Sequence, residues 1–120
     1  MGSHYTQPAR GIRKSSAIIT VAAAATPETL FQRTTGGQNP RTVILRKVMA
    51  YSNVGNAVLD IGTGLAAAFA NIIPSLAVIN GVDNEWPEDE IAEVEVGADL
   101  TVQSSVLGIQ VMVECEEIGS

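Results

Sequence analysis

The chain of 120 residues predicts an all-β protein, an antiparallel β-sandwich with about seven strands and a flexible amino-terminal arm. Three observations predict it. The composition is 46% hydrophobic but only 4% aromatic, so the core is aliphatic and in part β-branched. The carboxy-terminal third alternates apolar and polar residues with period two. Clusters of Gly, Pro, Asn and Ser punctuate the rest at short intervals. The length suits one core and is too small for two ordinary domains.

The elements follow in chain order. Residues 1–16 are predicted to form a flexible basic arm, in which "MGSH" reads at least in part as an expression remnant holding the only histidine, His4. The arm carries Arg10, Arg13 and Lys14 among Pro8, Gly11, Ser15 and Ser16, which favour an extended segment. It lacks the apolar core of a secretory signal. Residues 17–120 form the single sandwich domain. There "AIITVAA", "RTVILRKVMAYS", "AVLDIGT" and "SLAVIN" are β-rich, separated by the turn or loop signals "TPE", "TTGGQNP", "SNVGN" and "GVDNEWPEDE". The segment "GLAAAFANIIP" fits a short helix, a crossing loop or an alanine-rich strand, bracketed by Gly64 and Pro74. In residues 91–96, alternation turns Ala92, Val94 and Val96 inward and Glu93 and Glu95 outward. In residues 97–105, Ala98, Leu100 and Val102 face one way and Asp99, Thr101 and Gln103 the other, and "SSVLG" turns the chain into a hairpin. The last strand directs Ile109, Val111, Val113 and Cys115 inward, against Gln110, Met112, Glu114 and Glu116 outward.

Charge is divided along the chain. All seven Lys and Arg lie at or before Lys47, and the twelve carboxylates after it have no basic neighbour in sequence. The two halves should therefore meet, within the fold or between copies. If "TVILRKVMAY" pairs with "GIQVMVECEE", Arg46 and Lys47 sit opposite Glu114 and Glu116, at roughly 0.2–1 kcal/mol per cross-strand pair. The other reading sends the arm's Arg10, Arg13 and Lys14 to an acidic surface on another subunit or protein.

The stretch "GVDNEWPEDEIAEVEV" holds seven of the thirteen acidic residues and the only tryptophan. Pro87 suits the first position of a helical turn, and acids complement its amino end. Trp86 is expected to plug one end of the sandwich, or else to stand in a ligand or subunit contact. Asp83, Asn84, Glu85 and Asp89 supply oxygens a Ca²⁺ ion accepts, but EF-hand spacing is absent, so no metal site is assigned.

Function classes narrow accordingly. With His4 set aside, no imidazole remains for a triad or a zinc centre, and Cys115 falls on the inward face of its strand without a base. A pair of carboxylates can hydrolyse glycosides, but a sugar cleft needs more aromatics than Tyr5, Phe31, Tyr51, Phe69 and Trp86. "GTG" at residues 62–64 lacks P-loop spacing. The late carboxylates disfavour direct nucleic-acid binding, and no run is long and apolar enough for a membrane helix. No catalytic residue and no cofactor are predicted.

The run "INGVDNEWPEDEIAEVEVGADLTVQSSVLGIQVMVECEEI", preceded by "RTVILRKVMAYSNVGNAVLDIGTG", resembles the small jelly-roll or β-sandwich decoration (cement) proteins of tailed bacteriophage capsids. The likeness spans residues 41–118 and lies in length, strand rhythm and the alternation of Val with Glu. It implies a jelly-roll-like sandwich and a non-enzymatic homo-oligomer, a trimer in preference to a dimer, on the outer capsid surface of the virion and in the host cytoplasm during assembly. Its partner would be the major capsid protein, reached through the arm, with Trp86 in a subunit contact. The alternative is a ligand- or glycan-binding module with Trp86 and Tyr51 as platforms and an acidic loop holding Ca²⁺.

Overall fold

The computed structural model describes residues 11–35 and 41–119. Arg10 and the remnant at residues 1–4 lie outside them. Among the described residues the chain forms β1 (Ile12–Ser15), β2 (Ile19–Thr20), β3 (Glu28–Phe31), β4 (Thr42–Tyr51), β5 (Ala57–Thr63), β6 (Ala70–Asn71), β7 (Leu76–Val78), β8 (Asp83–Trp86), β9 (Glu95–Val96), β10 (Leu100–Ser104) and β11 (Gln110–Ile118). These segments exceed the seven expected because three sheet edges are each built from two pieces. Sheet A runs β1-β11-β4-β8, with β2 continuing the β1 edge along β11 and β9 continuing the β8 edge along β4. Sheet B runs β3-β10-β5-β6, with β7 also on β5. Every pairing is antiparallel. Counting each two-piece edge as one strand, the chain crosses between sheets at each step except from β5 to β6 and β7, which is the jelly-roll connectivity of two Greek keys.

The two sheets face each other across an aliphatic core. Leu45, Val48, Leu59, Ile61, Leu100, Val102, Ile109, Val111 and Val113 are all fully or almost fully buried in it. Each such side chain contributes roughly 1.5–3 kcal/mol of apolar transfer. On β11 the inward set is the one its alternation predicts, through Cys115.

On β4 a bulge decides the phase. Glu114 pairs with Lys47 but Cys115 pairs with Leu45, so Arg46 is the extra residue. Val43 and Leu45 face inward before it, Val48 and Ala50 after it. An unbroken period of two would instead have turned Lys47 and Met49 into the core. The bulge therefore sends Arg46 and Lys47 to the outer face together.

Five segments depart from the expectation or settle one left open. Residues 12–15, expected in a free arm, are an edge strand in register with β11, Ile12 opposite Glu117 and Ser15 opposite Glu114. The edge of β11 offers unpaired amides and carbonyls, and their pairing outweighs the weak local strand preference of "IRKS". β3 starts at the last residue of the turn signal "TPE" and runs through residues given no element, and β8 forms where the sequence signals a loop; "DNEW" is an edge strand with an exposed face, so it reads as polar. Within residues 64–74 a 3-10 turn at Ala66–Ala68 precedes the two-residue β6. Residues 91–94 are not a strand, and Ala92 is exposed rather than inward.

Candidate functional site

The cations of the first half meet the acids of the second half inside one chain. Arg46, 8% exposed, donates from Nε and Nη2 to Oε1 of Glu116 at 3.1 and 2.8 Å, and from Nη1 to Glu93 at 2.8 Å. The other oxygen of Glu116, itself 3% exposed, accepts the Gly11 N–H at 2.6 Å. Burial alone would lower the Arg46 pKa, but Glu93, Glu116 and Glu88 raise it above the ordinary guanidinium value. Lys47 stands opposite Glu114 in register, yet its ammonium pairs with Glu85 at 3.1 Å. Arg13 bridges Glu88 at 3.1 Å in the open, a pair of the kind worth at most about 1 kcal/mol.

Lys14 lies on the inward face of the β1 edge, in register with Cys115. Its Nζ reaches Oε1 of Glu117 at 2.7 Å. Glu117 continues the inward set of β11 and is 1% exposed. Its carboxylate also accepts the Thr34 N–H at 2.6 Å and the Thr34 hydroxyl at 2.9 Å. Burial pushes this carboxyl upward, but Lys14 and Thr34 more than offset it and hold it below the ordinary value of 4.5. Asp60 is held below its ordinary 3.8 likewise, by Ser75, Asn71 and Gln103 against burial. Both groups are depressed on folding, so their contribution is present above the unfolded values and lost as pH falls through the folded ones. Denaturation curves should show stability falling from about pH 4.5 downward, with a shallower acid limb in Glu117→Gln. An unchanged limb in that variant would refute the assignment. The same burial, with the Glu117 charge, pushes the Cys115 thiol up to about 12 despite Lys14 and Arg13, so this thiol is a poor nucleophile.

Trp86 is a β8 residue opposite Val48, half-buried against the core. It anchors the strand at the edge of sheet A. Tyr51 is opposite Asp83 on the outer face. Trp86 and Tyr51 therefore lie on opposite faces of the sheet and do not make one aromatic platform. Asp83 and Glu85 also point outward, whereas Asn84 faces the other way and donates to the carbonyls of Ala50, Ile79 and Val82. Pro87 does cap a short helical turn, Glu88–Glu90, as its position suggests. The acidic stretch is thus used in an edge strand, a turn and ion pairs; among the described residues no cluster of three or more His, Cys, Asp or Glu is placed to hold a metal.

Jelly-roll connectivity brings four connections, residues 21–27, 52–56, 79–82 and 105–109, to one end of the sandwich. Tyr51, Gln110, Thr20 and Asp83 mark that end of sheet A by register, and Ala57, Val78 and Ser104 that of sheet B. None of the four connections carries a charged residue. Their polar groups are turned on one another: Gly55 N–H donates to Asn80 Oδ1, Asn80 N–H to Asn56 Oδ1, Gly81 N–H to the Ser52 carbonyl, Gly108 N–H to the Val21 carbonyl and Ala25 N–H to the Ser104 carbonyl. Beside the exposed Asn53, Asn56, Asn80 and Ser105, four aliphatic side chains face outward. Val54, Ile79 and Val82 are each 50% exposed and Leu107 56%, with Ile18 and Val58 on the flanks. A groove of about 300 Å³ on the outer face of sheet A, with Ile18, Met49, Tyr51 and Met112 in its lining, opens beside this end. Sequence reading missed it. The signal was four turn segments without charge, and it acquires meaning only when topology places them together.

No protein-family model matches the chain, and no curated protein matches it. Among solved structures, a chain of the disulfide-linked pili that form Bacillus endospore appendages matches 98% of this chain and 100% of that one, at 14% identity and a TM-score of 0.39.

Proposed function

We propose that the protein is a non-enzymatic structural subunit that works by covering surface between neighbours, and specifically that it decorates the outside of a tailed-phage capsid. The observation that carries the structural reading is the uncharged end with its exposed Val54, Ile79, Val82 and Leu107. Adjacent aliphatic side chains left in water on a chain this small favour association. The ionised groups described above serve to tie β1 and the acidic stretch onto sheet A, which suits a scaffold. The capsid as lattice, with the major capsid protein as partner, rests on the sequence resemblance. Arg13 and Lys14 are engaged within the fold, so a basic arm reaching the capsid is reduced to residues before β1, including Arg10.

Cosedimentation with expanded heads of tailed phages, and with unexpanded precursors for comparison, tests the capsid reading. Saturable binding to expanded heads is expected, weakened by removal of residues 1–10. Absence of binding to every head tried, with the protein folded, would overturn it.

A further inference from the structure

We infer that the uncharged end is the contact between two copies of this chain, joined end to end about a two-fold axis. This rests on the reading of the protein as an assembly subunit and names the partner of that same surface. The occupant follows from charge. The chain carries a net charge of −6, so copies repel unless they meet where charge is absent. The four connections at this end meet that condition in their own residues, and their exposed Val54, Ile79, Val82 and Leu107 add apolar area to it. The acids of residues 88–99 follow β8 toward the far end of a body whose longest dimension is 48 Å, beyond a Debye length of about 10 Å at 0.1 M salt. The nearer carboxylates are Asp83 and Glu85 on the outer face of β8 and Glu28, which accepts the Ala22 N–H at 2.8 Å.

Other occupants fit worse. Head-to-tail contact would press aliphatic side chains onto the ionised groups around Arg13, Glu88 and Glu93, removing their water without supplying a counter-charge. An anionic membrane or a nucleic acid would find no Lys or Arg on the four connections. Like therefore meets like, which is what a two-fold, isologous contact requires. The loops need little reordering, because Asn80, Asn84 and Ser52 already hold them in place. The end is narrow: with shorter dimensions of 32 and 21 Å, such a contact covers about 500 Å² per copy, below the roughly 800 Å² of a standard interface. The pair should thus form and dissociate with concentration.

Light scattering and sedimentation velocity on the whole chain across a hundredfold concentration range test this. The mass should rise from one chain toward two, and raising salt from about 0.05 to 0.5 M should not weaken the association, because the contact is apolar. Leu107→Glu and Val54→Lys should each weaken pairing about tenfold or more. Leu65→Glu, equally exposed but at the other end, should leave it unchanged. Thermal melts confirm that the variants fold. A monomer at every concentration, a trimer insensitive to Leu107→Glu, or equal loss in Leu65→Glu would overturn the inference. Flotation of the wild type with neutral phosphatidylcholine vesicles, abolished by Leu107→Glu and without dimers, would assign the end to lipid instead. Failure of capsid binding leaves the pair standing, since it is measured on the protein alone.

Discussion

Arg46→Met is expected to lower the free energy of unfolding by up to about 3–5 kcal/mol, because it takes the guanidinium from a buried Glu116 carboxylate, less what the Gly11 N–H still supplies. Little of this loss comes from Glu93 and Glu88, whose side chains are each 57% exposed and screened by water. The decisive comparison is the double variant Arg46→Met, Glu116→Leu. Replacing both charges removes the buried carboxylate together with its guanidinium, so much of the lost stability should return. Urea titration at pH 7 measures all three proteins. A single variant that loses less than about 1 kcal/mol would show that the Arg46–Glu116 pair does not hold the bulge.

Deleting residues 1–16 is expected to do still more damage, although these residues read as a flexible arm outside the sandwich. The deletion removes β1, frees one edge of β11 along residues 114–117, and takes Lys14 from Glu117. Stranding that buried carboxylate costs about 3–5 kcal/mol, less what Thr34 still supplies. The bare edge then invites pairing with another chain. The shortened protein should aggregate or melt at markedly lower temperature. Lys14→Met alone should show the electrostatic part without the bare edge. Soluble, cooperative unfolding of the deletion at the full-length temperature would mean that β1 is not integral to the sheet.

Much of the sandwich is legible in the sequence because burial on one face imposes a period of two. Val111, Val113 and Cys115 declare the inward face of β11 by position alone. β4 is legible as a strand but not in phase, since the bulge at Arg46 exists only once Glu114 and Cys115 have chosen their partners. β8 is hidden for a related reason. Its residues Asp83 and Glu85 face water, and its backbone is ordered by β4 rather than by its own propensities.

The pairing of charges is legible in outline. A chain with all its cations early and nearly all its carboxylates late must bring the two together, and Arg46 does reach Glu116. That Lys14 turns inward to a buried Glu117 is decided by register between strands roughly a hundred residues apart. The sequence by itself determined the fold class, the inward face of the last strand and the burial of Cys115, because local periodicity and hydrophobicity are enough to set them. Tertiary structure alone decided that the expected arm closes a sheet edge, that Trp86 and Tyr51 part company, and that four uncharged turns gather at one end. These outcomes depend on which strands neighbour one another, and that choice is made by long-range hydrogen bonding and packing that no single stretch of the chain contains.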